Sequence, residues 1–242
     1  NRHAPPMAPI AHRTRSRTGT ANVVTPRQAA SRQYPKAFLS HLAMPVLDTD
    51  TGEYLNYRQL LRHPRLSKIW TPSASNELGR LCQGIGVGPD GTGKRVAGTD
   101  TFFAIQYDDI PKDRRKEVTY TSVVCEVRPQ KEDPNRTRIT IGGNRICYPG
   151  DTGTNTASLE LVKLMINSVL SRKGAKFACF DVKNFYLGTP LDRPEYVRIK
   201  ITDIPQEFID EYNLTIFARH RWVYFEIRKG VYGLPQAGRL AN

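Results

Sequence analysis

Phe177-Ala178-Cys179-Phe180-Asp181-Val182-Lys183-Asn184-Phe185-Tyr186-Leu187 is the stretch whose reading decides the fold. It has the length and aromatic-rich apolarity of a strand, and it delivers one carboxylate, Asp181, to its end before the chain turns at Gly188-Thr189-Pro190. An acid at the end of a buried strand is costly unless a cation meets it, and a metal ion is the usual partner. The bland alternative is an Asp that caps a strand-end turn.

Further along, the chain reads Lys229-Gly230-Val231-Tyr232-Gly233-Leu234-Pro235-Gln236-Ala237-Gly238. Taken in order, the two stretches resemble motifs A and B of reverse transcriptases. The wording D-V-K-N-F-Y-L followed by Y-G-L-P-Q-A is similar to the copia-type retrotransposon branch, over residues 70–242 and most closely from 157 onward. Trp70 and Glu77-Leu78 are similar to the Trp and Glu-Leu that open that domain.

The resemblance implies an α+β fold, the fingers and palm fragment of an RNA-directed DNA polymerase over residues 68–242, preceded by a disordered basic arm over 1–55. It implies two-metal nucleotidyl transfer with magnesium or manganese, with Asp181 as catalytic metal ligand and the backbone carbonyl of Val182 as a second donor. Tyr186 falls where the family places an aromatic under the sugar to block a 2′ hydroxyl, with a core aromatic as the alternative. Gln236 falls over the templating pair or the incoming nucleotide. Arg136 and Arg138 lie near the family's Lys-x-Arg, which reaches the triphosphate, although solvated strand arginines would look the same. Arg228, Lys229 and Arg239 are expected to meet template phosphates. The sequence departs from the family where Phe185 replaces a small residue and where Arg136 replaces the first Lys.

The implied partners are an RNA or DNA template with its primer, deoxynucleoside triphosphates, and the rest of a Pol polyprotein. Integrase would precede this segment, and the remaining polymerase and ribonuclease H would follow. The implied location is a cytoplasmic virus-like particle, with the nucleus second. The chain begins without Met and stops at Leu240-Ala241-Asn242, so a piece of a longer polypeptide is expected, with the aromatic-x-Asp-Asp of the polymerase still to come.

Composition agrees with a polyanionic partner. The net charge is +13, and residues 1–47 hold seven Arg or Lys and no acid. Pro5-Pro6 and Arg13-Thr14-Arg15-Ser16-Arg17 in that region cannot build a core, which is the reason for reading it as a linker. Cys82, Cys125, Cys147 and Cys179 stand singly without a CxxC pair, so buried thiols are expected rather than a zinc site or disulfides. No apolar run approaches the ~20 residues that span a bilayer.

Two short helices are expected, at Tyr57–Leu66 ending near Pro64 and at Ser73–Cys82 with Ser73 or Ser75 as cap. Glu117–Arg128 and Arg136–Tyr148 alternate and are separated by a turn, which makes a hairpin. Ala157–Arg172 is the strongest helix, and its two apolar stripes, Leu161-Met165-Val169 and Val162-Ile166-Leu170, predict core packing behind the Asp181 strand. Glu195–Ile201 and Arg221–Arg228 read as strands, with a short helix over Ile204–Tyr212 capped by Asp203.

Two motifs read as decoys. Gly88 to Lys94 fits G-x-x-x-x-G-K, but Arg95 replaces the magnesium-binding hydroxyl and turn residues fill the loop. Thr101 to Asp109 ends in Asp108-Asp109 like a polymerase motif C, but Gln106 takes the aromatic position and the segment precedes Asp181, so a strand ending in an acidic turn is expected. The rival functional readings are a non-catalytic basic module for single-stranded nucleic acid and a phosphate-loop ATPase.

Overall fold

The computed structural model describes residues 45–86, 95–131, 133–154, 156–180 and 182–242. Residues 1–44 of the expected arm, the glycine-rich segment 87–94 and Asp181 itself lie outside the described residues. Every described residue belongs to one compact unit.

Two short strands, β1 (Val46–Leu47) and β2 (Tyr54–Leu55), pair antiparallel around a turn in which the Asp48 carboxylate accepts from the Asp50 N–H and the Thr51 hydroxyl. Val46 and Leu55 bury their side chains with Leu60, Leu66, Trp70 and Cys125. This small core corrects the reading of 45–55 as linker: two apolar residues on the inner face of a hairpin suffice when a neighbouring helix offers Trp70. Helix α1 (Tyr57–Arg62) starts at a reciprocal Asn56–Gln59 capping box and stops before Pro64.

Helix α2 (Ser67–Leu81) starts six residues before the expected Ser73 and runs through Pro72. Pro72 costs the helix only one N–H near its first turn, where burial of Trp70, Ala74, Leu78 and Leu81 along one stripe outweighs it. Ser73 is therefore no cap. Its hydroxyl donates to the Asn135 carbonyl at 2.8 Å and accepts from the Thr137 N–H at 2.9 Å, fastening the helix to a strand.

The main sheet contains β3 (Phe102–Ile105), β4 (Thr119–Val127), β5 (Asn135–Ile141), β6 (Pro190–Lys200) and β7 (Trp222–Lys229) in the order β3-β7-β6-β4-β5. The β6–β4 pair is parallel and the others are antiparallel, so the expected 119–141 hairpin forms but is joined to the sheet. Pro194 in β6 falls where the register shifts between Pro190 and Glu195, a place where a missing N–H leaves no ladder bond unmade. Val223, Phe225 and Ile227 alternate onto one face at zero exposure and meet Leu78, Leu81, Ile139, Ile141 and Val197 in the main core. Tyr196 and Tyr224 cover the other face with Ile110 and Val118. Beyond β3, Tyr107–Asp109 makes the expected acidic turn.

Two expectations fail together. Residues 177–180 form no strand, and Phe177 and Phe180 are exposed; the next residues turn, and a 3-10 turn spans Tyr186–Gly188. Apolar residues do not make a strand without a neighbour for their N–H and C=O groups, and the centre of this sheet is filled by β6 and β7. Helix α3 (Leu159–Leu170), capped by Ser158, forms as expected but buries none of its residues, with Leu164 and Leu170 the most open of its leucines. A broad apolar stripe therefore forecast the helix correctly and its packing wrongly.

Helix α4 (Gln206–Glu211) follows Pro205, and Asp203 is not its cap: the carboxylate binds Arg58 through both oxygens at 2.6 and 2.8 Å. The chain closes with α5 (Ala237–Ala241). All four cysteines are free, but only Cys82 and Cys125 are buried, whereas Cys147 and Cys179 are exposed. Burial pushes the Cys125 thiol up to about 12. Among the described residues no helix is long and apolar enough to cross a membrane. The architecture is α+β.

Candidate functional site

A cleft of about 990 Å³ opens between α2, β5, the far end of the β4–β5 hairpin and the turn after residue 181. Its construction begins on α2. Glu77 is nearly buried, so its charge needs partners: Arg80, three residues on, grips both carboxylate oxygens at 2.7–3.0 Å, and the Ile139 N–H reaches it at 3.3 Å. The same guanidinium donates to the Asn184 side-chain oxygen at 2.8 Å. Asn184 has φ 59, a left-handed conformation that asparagine tolerates, and this hydrogen bond pins the turn that follows Val182 to the helix.

The strand wall comes from alternation. Arg136 and Arg138 sit two apart on β5 and both line the cleft, joined by Arg128 and Lys131 at the hairpin end and by Lys183 on the turn. Six cationic side chains thus face two carboxylates, Glu77 and Asp133, and Glu77 is already held by Arg80. Burial, then the neighbouring charges of Arg138 and Arg128, lower the pKa of Arg136 below the usual guanidinium value. The Nε–H groups of Arg128 and Arg138 are buried with no hydrogen-bond partner among the described residues. Crowded cations with unused donors are relieved by an anion that brings several charges and many acceptor oxygens.

The turn at Tyr232-Gly233 closes the cleft. Its Tyr232 carbonyl accepts from the Ile141 N–H at 2.8 Å, and the Tyr232 ring lies 5.3 Å from the Arg138 guanidinium. Gly233, at φ 97, cannot be replaced without disturbance, because a Cβ there would meet the Ile141 carbonyl oxygen at 2.0 Å. The two sequence stretches thereby converge on one cavity, through Val182 and Asn184 from the first and Tyr232 from the second.

The remaining expected site residues lie elsewhere. Tyr186 is half-buried and packs edge-on against Tyr232, ring centroids 5.1 Å apart, one layer behind the cleft wall. Gln236 is absent from the cleft lining: its side chain is fully buried, and its amide donates to Glu195 at 2.9 Å. Glu195 is itself at zero exposure and accepts from Arg114 at 2.6 Å and Arg193 at 3.0 Å. Burial raises its pKa, the two guanidiniums and Gln236 pull it back, and the balance stays above the usual carboxylate value. The expected template contacts are also engaged within the protein. Arg228 pairs with Glu226 at 2.5 Å and covers the Phe103 ring at 4.0 Å; Lys229 donates to the Thr99 carbonyl at 2.6 Å; Arg239 pairs with Asp151. None of the three lines the cleft.

Sequence reasoning missed Arg80, Arg128, Lys131, Asn184 and Tyr232. The Glu77-x-x-Arg80 spacing on one helix face was the legible signal for the first of them, and nothing local announces the others.

Magnesium requires several oxygen ligands, carboxylates prominent among them. Asp181 lies outside the described residues, Glu77 is committed to Arg80, and no group of three His, Cys, Asp or Glu among the described residues could hold a metal ion. The described residues therefore do not fit the ion by themselves. No protein-family model, curated protein or solved structure matches this chain.

Proposed function

We propose that this segment is the nucleotide- and template-holding part of a copia-type reverse transcriptase, an RNA-directed DNA polymerase whose cleft takes the triphosphate of an incoming deoxynucleotide. The observation that carries the reading is the convergence of Arg136, Arg138, Val182 and Tyr232, far apart in sequence, on one cationic cleft. The ordered pair of motif-like stretches supplies the polymerase assignment, and the cleft supplies a chemical reason for it.

The residues present do three things for such a ligand. Arg136 and Arg138 offer planar forks that meet phosphate oxygens in pairs. The excess of cations offsets the triphosphate's charge in a partly buried space, where the attraction exceeds its value in water. The Glu77–Arg80–Asn184 chain holds the turn that follows Val182 beside that phosphate.

Titration of the 242-residue chain with a deoxynucleoside triphosphate tests the reading. Arg136→Gln and Arg138→Gln should each weaken binding about ten- to a hundredfold, the loss of a charge-assisted hydrogen bond worth about 1.5–3 kcal/mol. Equal affinity in both variants would remove the cleft from the proposal. The rival reading, a module for single-stranded nucleic acid, predicts instead that oligonucleotide affinity falls in these variants while nucleoside triphosphates bind to neither protein.

A further inference from the structure

On the sheet face opposite the main core, a second cavity of about 290 Å³ is lined by Arg115, Lys116, Arg145, Arg198, Arg219 and His220 together with Tyr107 and Tyr224. We infer that it is a second phosphate-binding site, separate from the cleft and independent of the function proposed for it.

Its charge is unbalanced. Arg115 and Arg219 share one carboxylate, that of Asp108, at 3.4 and 3.0 Å, and Asp108 itself faces solvent with 78 % of its side chain exposed. Lys116, Arg145 and Arg198 form no ion pair among the described residues. Among the described residues no carboxylate lines the cavity.

The basic groups are also held in place. The guanidiniums of Arg115 and Arg219 lie over the Tyr107 ring, 4.6 and 4.5 Å from its centroid, and that ring packs on Tyr224 at 5.0 Å. Arg198 lies 4.4 Å from the Trp222 ring, and its Nε–H is buried with no hydrogen-bond partner among the described residues. Stacking fixes the planes of these guanidiniums while leaving N–H groups free to meet an oxyanion.

The backbone bears a cost at the same place. Arg219 and Trp222 exchange hydrogen bonds at 2.8 and 3.0 Å across a two-residue turn, and the residues between them, His220 and Arg221, both have left-handed φ values of 49 and 71. Such a turn ordinarily takes Asn or Gly, and non-glycine residues there carry strain of the kind that gathers at ligand sites. Here the turn sets His220 and Arg219 on the cavity rim.

A phosphate group satisfies all of these features: it brings charge to an uncompensated cluster and accepts several N–H bonds at once. It can belong to a nucleic-acid backbone or to a free polyphosphate, and the test separates the two. Binding of a short oligothymidylate and of inorganic tripolyphosphate is measured in an Arg136→Gln/Arg138→Gln background, so that the cleft contributes little to either. Adding Lys116→Gln/Arg198→Gln should weaken the ligand about tenfold, and Lys116 with Arg198→Lys should restore most of it, because the charge returns on a shorter donor. If the backbone is the ligand, the slope of log affinity against log salt for the oligothymidylate should become shallower by about 1.4, which is ~0.7 for each of two lost phosphate contacts. A loss confined to tripolyphosphate identifies a small polyphosphate as the ligand. Unchanged affinity in both arms, with the variant's thermal melt unaltered, would overturn the site. A loss that Arg198→Lys does not recover would also overturn it, since the effect would then be one of packing against Trp222.

Discussion

Gln236 offers the sharpest contest between motif and structure. Over a nucleotide, its replacement would cost ligand affinity and leave stability alone; in the observed structure it is fully buried and its one hydrogen bond goes to Glu195. The surroundings allow the consequences to be worked out. Glu195 and Glu117 are already matched by Arg114 and Arg193, so the cluster holds two carboxylates and two guanidiniums. Gln236→Glu would place a third carboxylate about 3 Å from Glu195, where two acids cannot both ionise without a large penalty. One acid of the pair must take up a proton to fold at pH 7, a loss on the order of a few kcal/mol, and because the pair's folded pKa lies above its unfolded value, that loss shrinks as the pH falls toward 5. Gln236→Met behaves differently. It forfeits a hydrogen bond to a carboxylate, about 1.5–3 kcal/mol, but also removes the Gln236 Oε1 that is buried without a partner, about 1–3 kcal/mol, so the net change should stay within about 1 kcal/mol. Urea denaturation at pH 5 and pH 7 reads both. A Gln236→Glu protein as stable as the parent at pH 7, but with weakened nucleotide binding, would refute the buried role.

Tyr186→Ala should cost about 2–3 kcal/mol, somewhat less than a fully buried ring, because the half-buried Tyr186 supports Tyr232 from behind; unchanged stability together with new affinity for ribonucleotides would put the ring in the sugar pocket instead. Leu164→Ala on α3 should change stability by about 0.5 kcal/mol or less, since Leu164 is 65 % exposed; a loss of about 2–5 kcal/mol in the melt would mean that the helix packs as its apolar stripe first suggested. Asp48 is pushed up by burial but pulled lower by the Asp50 N–H, the Thr51 hydroxyl, Arg65 and His63, and ends below the usual carboxylate value. Its contribution is therefore complete above an unfolded pKa of about 4 and is lost as the pH falls through the lower folded value, so Asp48→Asn should flatten the acid limb of the stability profile.

What the sequence by itself determined is local. The alternation of residues 119–141 was enough for the hairpin, Pro64 for the end of α1, and the 3.6-residue stripe of 159–170 for a helix, because each rests on periodicity or a helix stop among near neighbours. The pair of arginines on β5 was picked out by the resemblance alone, and the strand then places them on one face because they stand two positions apart. What only the tertiary structure decided is pairing and burial. Whether 177–187 is a strand depends on a partner backbone elsewhere in the chain, and whether the stripe of α3 is core depends on what covers it; neither condition is written within the segment. The cleft was hidden for the same reason. Arg80, Arg128, Arg136, Lys183 and Tyr232 are scattered over more than half the chain, and their charges act together only because α2, the β4–β5 hairpin and two turns bring them within reach of one ligand.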